Sequence, residues 1–509
     1  MQQCPTCDSS NLIKRSIRTN LNGESKQRYV CKDCDKWHSE DVSDQVITSI
    51  KPEFKSFNRY VITACQNNTS VNTQFLSSLS HYCEQKVAQL LIVPILYQAN
   101  EYDDIVYDIP NNLNHKLVTT RLQIHDEVFV MGNFNFIPTS SDPLSGLNAL
   151  SKGNTLIVPS PQLRMKSLAV SATRHPAILH TTGAISHPEY SNSKAGEKAL
   201  FNHSYSAVLV EIDSDGDFHI RVLSADENGM FYDLGTQHFP DGSTYFEGIE
   251  ALVTGDEHAI FACPDVEAAT YSNIDSIVRT LKPKYVVRHD ILDCASVSHH
   301  TRKNNIKNVG KSRFGTNKIE DELATTVDYL LRTTMLNDVY FENIIVSSNH
   351  NDHLLQWFSE IDIRTEPHNA KFFHKYMFKI LDSMIETPTG FDHINPFEQF
   401  CVDLNVPRTR FLSRDESFSV SDVELGSHSD RGVNGSRGSI NQFANLPLKY
   451  VIGHSHTPGI VFGAYQTGTS SRLKLDYTSG LSSWSNCHCA VYSNGKRQLI
   501  TIINKKWRA

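Results

Sequence analysis

The chain has 509 residues, more than one hydrophobic core accommodates, and this length predicts two or three domains. Its 39% hydrophobic and 20% charged residues are typical of a globular protein, and the lack of any apolar run approaching about 18 residues argues against a membrane span. A formal net charge of −8 does not by itself suggest nucleic-acid binding, although it can hide a local basic patch.

Cysteine usage indicates a reducing compartment. Four of the 11 cysteines are spaced as metal ligands, and the odd total does not suit a disulfide framework. The other seven are scattered along the chain: Cys65, Cys83, Cys263, Cys294, Cys401, Cys487 and Cys489. The sequence after Met1 also lacks the basic and then apolar stretch of an export signal. We therefore expect a cytoplasmic protein.

Residues 1–45 have the pattern of a zinc ribbon. Two CxxC pairs, Cys4 with Cys7 and Cys31 with Cys34, flank a polar stretch typical of a β-hairpin. Four thiolates at this spacing can hold one structural zinc ion, and so short a segment has too little apolar surface to fold without such a ligand. The alternative is a redox pair, which normally consists of a single CxxC motif within a βαβ unit.

The ribbon is basic within an acidic chain. Residues 1–38 contain seven Lys and Arg against four Asp and Glu, a net charge of 7 − 4 = +3. The basic residues are Lys14, Arg15, Arg18, Lys26, Arg28, Lys32 and Lys36. Two interpretations stay open: the ribbon contacts nucleic acid, or it is a solvated hairpin that docks against a neighbouring surface.

Residues 46–245 are predicted to form a middle α/β accessory domain. Apolar runs at residues 60–62 and 90–95, separated by a helical stretch, predict a β-α-β unit. Strand-like runs follow at residues 128–131 and 207–212. Residues 213–217 resemble part of a calcium loop but lack the later Glu, so we expect them to turn a hairpin. We identify no catalytic motif in this domain.

In residues 246–509, five short apolar runs each end at candidate metal ligands. The runs are residues 251–254, 285–287, 344–346, 423–425 and 450–452. The candidate ligands that follow them are Asp256, His258, Asp290, Asn349, His428, His454 and His456. Because ligands gather beyond the carboxyl ends of strands in α/β sheets, five such ends can converge on one crevice.

Each residue type suits a pair of divalent ions. Asp256 and His258 are two positions apart and can reach the same ion. Asp290 has two carboxylate oxygens and can bridge two ions about 3.5–4 Å apart. Asn349 offers a neutral oxygen that does not repel a phosphate. Glycines before three of the motifs let the backbone turn tightly beside the ions: Gly255, Gly426 and Gly453.

The order DxH, DxxD, NH, H and GHxH resembles the calcineurin-like metallophosphoesterase family over about residues 246–509. The resemblance implies an α/β fold, a β-sandwich flanked by helices, with two divalent ions. It assigns one ion to Asp256, His258, Asp290 and His456, and the other to Asp290, Asn349, His428 and His454. It also implies that His350 is catalytic, stabilising charge on phosphate oxygens or protonating the leaving oxygen, and that a metal-bridging hydroxide is the nucleophile.

Two positions depart from the family pattern. His289 stands where the family usually has a glycine before the bridging Asp. Asn351 stands where an acid usually follows Asn-His, and the acid comes one position later, at Asp352. All seven ligand types are kept, so the departures concern hydrogen bonding around the ligands and metal preference. The competing interpretation treats the histidines as ordinary core or surface residues, which explains any single one but not their common order.

Several flanking residues are candidates for substrate contacts. They are His299, His300, Arg302, Lys303, Arg431, Asn434 and Arg437. An arginine presents two donors to a phosphate, whereas the alternative is solvated loop charge. Cys487-His488-Cys489 lies in a strand-like stretch before an Asn494-Gly495 turn, so we interpret it as packing and not as a metal site.

Residues 289–293, 426–432 and 482–484 resemble metallophosphoesterases of large tailed bacteriophages, among them pre-early host-DNA-degrading nucleases of T-five-like phages. The ligand layout is also similar to that of the nuclease subunit of the double-strand-break repair complex. This resemblance implies a manganese-dependent deoxyribonuclease in the cytoplasm of an infected bacterium, with Mg, Fe and Zn as alternative metals. The expected partners are DNA and further copies of the chain in a homo-oligomer, with no membrane.

Two other functions stay open. One is a phosphatase that acts on small substrates, and the other is a DNA-binding host-takeover protein with a structural metal site. Manganese-dependent release of nucleotides from duplex DNA favours the nuclease. Hydrolysis of nitrophenyl phosphate without DNA cleavage favours the phosphatase, and wild-type behaviour of a His350→Ala or Asp290→Asn variant favours the binding protein.

Overall fold

The computed structural model describes residues 3–19, 25–41, 57–96, 109–171, 174–246, 248–388, 390–475 and 478–509. These residues form a mixed α/β structure with several sheets and helices. None of the helices in these ranges is both long and apolar enough to cross a membrane.

The N-terminal residues form a three-stranded antiparallel sheet of β1 (Leu12–Thr19), β2 (Ser25–Cys31) and β3 (Trp37–Asp41). The predicted hairpin is β1 paired with β2. The sulfurs of Cys4 and Cys34 lie 3.6 Å apart, and those of Cys7 and Cys31 lie 3.5 Å apart. Zn–S bonds of about 2.3 Å place tetrahedral sulfurs about 3.8 Å apart, so the four thiols are compatible with a structural zinc ion.

The basic character of this sheet is described only in part. The side chains of Lys14, Arg15, Arg18 and Lys26 lie outside the described residues. The Arg28 guanidinium lies 4.3 Å from the centroid of the Trp37 ring.

The described residues between 57 and 246 form strands and three α-helices. They are β4 (Arg59–Gln66), α1 (Thr73–Lys86), β5 (Gln89–Ile95), β6 (Arg121–His125), β7 (Val128–Met131), α2 (Leu147–Leu150), β8 (Thr155–Val158), β9 (Arg164–Leu168), β10 (Ala177–Thr181), α3 (Lys194–Phe201), β11 (Ser206–Ile212), β12 (Phe218–Ser224), β13 (Phe231–Asp233), β14 (Thr236–Phe239) and β15 (Gly242–Tyr245). The predicted β-α-β unit is confirmed, because β4 and β5 flank α1 and pair in parallel. The predicted hairpin at residues 213–217 is also confirmed, because β11 and β12 pair antiparallel.

Residues 248–509 contain most of the described helices. The elements are β16 (Ala251–Val253), α4 (Pro264–Glu267), α5 (Ile277–Leu281), β17 (Tyr285–Arg288), α6 (Asn305–Phe314), α7 (Ile319–Thr334), β18 (Glu342–Ile345), α8 (Asn349–Glu360), α9 (Ala370–Asp382), β19 (Ile385–Thr387), β20 (Gly390–Asp392), α10 (Pro396–Asp403), β21 (Thr409–Phe411), β22 (Ser419–Val420), β23 (Val423–Glu424), α11 (Ile440–Phe443), β24 (Lys449–Ile452), β25 (Gly459–Val461), β26 (Ala464–Gln466), β27 (Cys487–Val491) and β28 (Arg497–Thr501). Short 3₁₀ helices occur at Asn111–Lys116, Ala259–Phe261, Ile363–Thr365, Pro367–Asn369 and Val433–Gly435, and a π-helical turn at Ala268–Ser272.

Two sheets carry most of the strands. The larger has ten strands in the order β22-β23-β24-β26-β25-β9-β10-β8-β7-β6, and the second has six in the order β21-β18-β17-β16-β27-β28. Smaller sheets are β12-β11-β4-β5, β13-β14-β15 and β19-β20. The ten-stranded sheet crosses residue 245, because β9 pairs with β25 and Met165 lies opposite Ile460. The domain boundary at residue 245 stays a prediction, but the residues on its two sides share this sheet.

Alternate residues of the six-stranded sheet face two different cores. Val253 and Val287 pack in a core with Val451 of the ten-stranded sheet. Their neighbours Leu252 and Val286 pack on the opposite side, in the core that also contains α5. A strand places successive side chains on opposite faces, so apolar residues at every position bury the sheet on both sides. The result is two sheets packed face to face, with helices on the outer side of the six-stranded sheet.

The four-stranded sheet β12-β11-β4-β5 packs against the other end of the ten-stranded sheet. Ile62 and Val208 share a core with Val128 and Ile157. The opposite face of this sheet packs against α1. The long sheet therefore contacts both the middle part and the C-terminal part of the chain.

Candidate metal centre

Five strand ends position the candidate ligands. Strands β16, β17 and β18 are parallel neighbours in the six-stranded sheet. Strands β23 and β24 are parallel neighbours in the ten-stranded sheet. All five coincide with apolar runs that the sequence predicted as strands. Because the two sheets share a core, the loops that follow these strands lie close together.

Four side chains form a buried group with the spacing of a metal site. Asp256, His258, Asp290 and His456 each offer one ligand atom, and these atoms all lie within 4.8 Å of one another. His456 Nε2 lies 3.0 Å from Asp256 Oδ2 and 3.0 Å from His258 Nε2. All four residues are buried. They are the four residues that the family resemblance assigns to one ion, and the group is compatible with a metal ion.

Asp290 also contacts residues assigned to the second ion. His428 Nε2 lies 2.9 Å from Asp290 Oδ2. The ring of His454 lies 5.2 Å from that of His428, and its backbone N–H donates to Asp256 Oδ1 at 3.2 Å. Asn349 is the first residue of α8, and its side-chain oxygen is buried. The carboxylate of Asp290 thus lies between the two histidine groups.

Several buried ligand atoms lack a hydrogen-bond partner within the described part of the chain. They include Asp290 Oδ1, Asn349 Oδ1 and His456 Nδ1. A buried polar atom left without a partner costs about 1–3 kcal/mol. A bound cation would accept electron pairs from these oxygens and nitrogens, and carboxylate, amide and imidazole donors suit divalent transition metals. The residues therefore fit a divalent-metal centre.

Four of the seven candidate ligands have left-handed backbone conformations. The φ angles are +42° at His258, +45° at Asp290, +75° at His454 and +57° at His456. This conformation is uncommon for residues other than glycine and costs about 1–3 kcal/mol where the surroundings impose it. Beside them, a Cβ atom on Gly453 would lie 2.5 Å from Asp256 Oδ1, so only glycine fits there.

The charges of the group keep its carboxylates ionised. Burial alone would raise the pKa of Asp256, but contact with His456 and the charge of His428 outweigh it and hold the pKa at about 2. Burial opposes ionisation of Asp290 too, and the charges of His428 and His350 hold its pKa well below the usual range. Burial would lower the pKa of His258, but Asp293 raises it to about 9. A cation held here would have two carboxylates among its ligands, and His258 would bind it only after losing its proton.

Asp293, the second acid of the DxxD motif, positions two histidines. Its Oδ2 lies 2.8 Å from His258 Nδ1, and its backbone carbonyl accepts a hydrogen bond from His350 Nδ1 at 2.6 Å. Carboxylates commonly orient metal-binding histidines in this way. We did not predict this role, although the DxxD spacing carried the signal for it. His350 lies at the edge of the site, with 21% of its side chain exposed.

Glu257 lies between the candidate ligands Asp256 and His258 in the sequence, and its hydrogen bonds hold their loop in place. It accepts hydrogen bonds from Arg288 Nη1 at 2.9 Å and from the Tyr271 hydroxyl at 2.8 Å. Arg288 Nε also donates to Asn343 Oδ1 at 2.8 Å, so the network reaches β17 and β18. All four side chains are buried. Sequence reasoning missed them, because nothing local distinguishes them from exposed polar residues.

Arg414 joins two of the ligand loops and was also missed. Its guanidinium donates to Asp352 Oδ2 at 2.7 Å, to Asp430 Oδ1 at 2.8 Å and to the Ser347 carbonyl at 3.4 Å. Asp352 is the displaced acid of the Asn-His motif. Asp352 also accepts a hydrogen bond from Arg431 Nη2 at 2.8 Å. The Arg431 side chain is 57% exposed.

The other predicted substrate contacts differ in their partners and exposure. Arg302 Nη1 donates to Glu360 Oε2 at 3.0 Å. His299 and His300 lie against His353 of α8, with ring centroids 4.6 and 5.6 Å away. Lys303, Asn434 and Arg437 are exposed. The substrate roles of these residues stay predictions.

Two further histidines have structural contacts. His289, which replaces the usual glycine, lies with its Nδ1 3.2 Å from His428 Nδ1, so this departure adds an imidazole beside a ligand. His488 lies in β27, accepts a hydrogen bond from the Gly255 N–H at 3.0 Å and contacts Thr270 Oγ1 at 2.8 Å. The Cys487-His488-Cys489 segment thus packs in a strand, as predicted.

The chain is 32% identical to "Protein A1" of Escherichia phage T5 in an alignment of 477 residues that covers 90% of this chain and 84% of that protein. The match is longer than residues 246–509, so it includes the middle part of the chain as well as the candidate metal centre. No protein-family model matches the chain, and no solved structure matches it.

Proposed function

The chain belongs to the family of Protein A1 of Escherichia phage T5, and from this premise and the buried ligand group we propose that it is a two-metal phosphodiesterase acting on DNA in an infected bacterial cell. The observation that carries the proposal is the convergence of Asp256, His258, Asp290 and His456. Their order along the sequence resembles that of a calcineurin-like phosphoesterase, and their buried clustering supports a shared metal site. Degradation of host DNA is the role that the sequence resemblance implies.

The candidate centre would hold two divalent ions, manganese by preference, with Asp290 between them. Asp256, His258 and His456 complete the shell of one ion, and Asn349, His428 and His454 that of the other. Bound there, the ions would supply Lewis acidity and lower the pKa of water near a phosphate. The low pKa values of Asp256 and Asp290 keep both carboxylates available as ligands at neutral pH.

His350 is the proposed catalytic residue. Its Nδ1 must carry a proton, because the Asp293 carbonyl beside it can only accept a hydrogen bond. Nε2 is therefore the nitrogen that exchanges a proton with substrate or donates to a phosphate oxygen. The contact with Asp293 fixes the orientation of the ring, as proton transfer to a leaving oxygen requires.

The start of α8 favours a phosphate at the same place. Asn349 and His350 occupy its first turn, and the Ser348 side chain caps the helix by accepting a hydrogen bond from the Asn351 N–H. The N-terminus of a helix carries partial positive charge, which attracts anions. Arg431 is more than half exposed and would contact the nucleic-acid backbone.

The N-terminal ribbon would add affinity for DNA. Its sequence carries the excess of basic residues described above, and contacts from Lys and Arg to phosphates supply most non-specific binding to nucleic acids. The zinc ion would hold this sheet in shape and would take no part in hydrolysis.

The proposal is tested by adding the full chain and Mn²⁺ to linear duplex, circular duplex and single-stranded DNA. We expect metal-dependent cleavage of at least one form, which also identifies endo- or exonuclease action and strand preference. Asp290→Asn is the control and should lose cleavage while the protein stays folded, as measured by circular dichroism.

Hydrolysis of nitrophenyl phosphate without cleavage of any DNA form would replace the nuclease with a small-substrate phosphatase. DNA binding without hydrolysis of either substrate, unchanged in Asp290→Asn, would indicate a binding protein with a structural metal site.

A further inference from the structure

A second group of imidazoles lies beside the candidate metal centre. His299 and His300 are in the loop between β17 and α6, and His353 is near the start of α8. One imidazole nitrogen from each residue lies within 4.8 Å of those of the other two. The rings of His299 and His300 are 3.8 Å apart, and those of His299 and His353 are 4.6 Å apart. None of the three is among the seven candidate ligands.

This histidine group contacts the candidate centre through His350. The ring of His353 lies 4.9 Å from that of His350, and the ring of His350 lies 4.8 Å from that of His258. The histidine group is thus adjacent to the ligands but has its own nitrogen atoms.

Hydrogen bonds do not account for the close approach of these three rings. His299 Nδ1 and His353 Nδ1 are both buried without a hydrogen-bond partner in the described ranges. Such atoms are rare in native proteins, because a buried polar atom without a partner destabilises the folded state. A ligand that accepts electron pairs from nitrogen would remove this cost.

Two cationic side chains near the histidine group have partners outside it. Arg302 Nη1 donates to Glu360 Oε2 at 3.0 Å. Lys311 Nζ donates to Thr301 Oγ1 at 2.7 Å and to the backbone carbonyl of Ala295. None of these hydrogen bonds uses an imidazole nitrogen of the histidine group.

Three imidazoles are the protein ligands of many mononuclear zinc sites, in which a fourth position stays open. We propose that His299, His300 and His353 bind a third divalent transition-metal ion, Zn²⁺ by preference, next to His350. A water molecule or a phosphate oxygen would fill the open position. The inference concerns ion binding, so it does not depend on the proposed hydrolysis of DNA.

The number of bound ions tests this proposal. The full chain and its variants are dialysed to equilibrium against Zn²⁺, and bound zinc is measured by atomic emission. His300→Ala and His353→Ala should each bind one ion per chain fewer than the wild type. His300 is exposed, so its replacement removes a ligand without opening the core. His374→Ala, an exposed histidine of α9, is the matched control and should bind as many ions as the wild type.

Cobalt spectroscopy separates this ion from those of the principal centre. In a chain with zinc in the ribbon and Asp290→Asn at the principal centre, Co²⁺ should give visible absorption that the added His300→Ala substitution removes. Equal ion counts in the wild type and both histidine variants would overturn the proposal. So would binding of inorganic phosphate that His300→Ala abolishes with no change in bound zinc, because the histidine group would then be an anion site.

Discussion

Residues that touch ligands without binding an ion decide the geometry of the candidate centre. Asp293 holds His258 and His350, Glu257 is held by Arg288, and Arg414 connects the loops of the Asn-His and His428 motifs. Four ligands sit at left-handed backbone positions, which a free chain would rarely occupy. These contacts hold the loops in a strained conformation that brings the candidate ligand atoms close together.

His350→Ala should abolish turnover and leave metal binding intact, because in the proposed mechanism this side chain acts on the phosphate and is not among the seven proposed metal ligands. The expected loss of kcat is about 10²–10⁴-fold, the usual contribution of a general acid or base. Mn²⁺ binding is measured by calorimetry alongside the DNA cleavage rate. Loss of manganese equal to the loss of activity would contradict the assignment.

Arg414→Met should lower activity or metal affinity about 10–100-fold, because both loops that Arg414 joins carry candidate ligands. Arg410→Met is a matched control: Arg410 pairs with Glu416 on the surface and is 55% exposed. The measurement is the Mn²⁺ concentration for half-maximal cleavage. The same change in both variants would show that loop positioning is not the role of Arg414.

At the scale of elements, strands and loops have different roles. Short, fully buried strands fix the backbone in two directions, through pairing within a sheet and through packing on both faces. The loops at their carboxyl ends then carry functional side chains. The ribbon brings four thiols together in a group compatible with a structural zinc ion, which is how a segment this short can be stabilised.

Removal of residues 1–45 should weaken DNA binding and make it less sensitive to salt, because fewer phosphate contacts release fewer counterions. Hydrolysis of a small phosphodiester should be unchanged. The variant Lys32→Glu with Lys36→Glu tests the same contacts with all four cysteines kept, and Lys371→Glu on α9 is the control. Binding is measured by fluorescence anisotropy at several salt concentrations. If the deletion abolished both activities, the ribbon would be required for the fold.

A buried ion network joins the four-stranded sheet to α1 and β28. Arg221 donates to Glu211 at 2.6 Å and to Asp233 at 2.9 Å, and Asp233 also accepts from the Tyr82 hydroxyl and from Gln498. Removing one charge of a buried pair costs about 3–5 kcal/mol, so Asp233→Asn should lower the free energy of unfolding by that amount. Asp126→Asn, at an exposed position, should have little effect.

The same network predicts how stability depends on pH. Burial would raise the pKa values of Asp233 and Glu211, but Arg221 outweighs burial and lowers both. A carboxyl group with a lowered pKa in the folded state stabilises the protein above its ordinary pKa and loses this contribution as pH falls. The wild type should therefore lose stability as pH falls below about 4, the ordinary range of these groups. Urea unfolding measured from pH 7 to pH 3 should show a smaller loss in Asp233→Asn.

At the scale of the whole molecule, the candidate centre lies where two sheets meet. Its ligands follow β16, β17 and β18 of one sheet and β23 and β24 of the other. The long sheet also contacts the middle part of the chain, so the similarity to Protein A1 over 90% of the chain covers structurally connected parts. A homo-oligomer stays a prediction.

Bound ions should stabilise the whole molecule, because they connect the two sheets in the folded state and lose this geometry on unfolding. Manganese at about 100 times its Kd should add about 2.7 kcal/mol and raise Tm. Thermal unfolding of the zinc-loaded chain, with and without Mn²⁺, measures the shift, and Asp290→Asn should abolish it. An unchanged shift in that variant would place the stabilising ions elsewhere.

The sequence by itself determined the strands and the types of ligand at the candidate centre. Apolar runs of a few residues predicted β16, β17, β18, β23 and β24, because a short apolar run bounded by turn residues is typical of a buried strand. The CxxC pairs likewise predicted the ribbon, since their chemistry is local. Both signals lie within a few neighbouring positions.

Only the tertiary structure decided which distant residues support these ligands. Arg414 and Asp352 are 62 positions apart, and Arg288 and Glu257 are 31 apart, so no local pattern identifies them as partners. The shared sheet across residue 245 and the approach of His353 to His299 depend in the same way on how the strands and helices pack. Local periodicity reports whether a residue is buried, whereas the partner it meets depends on the path of the whole chain.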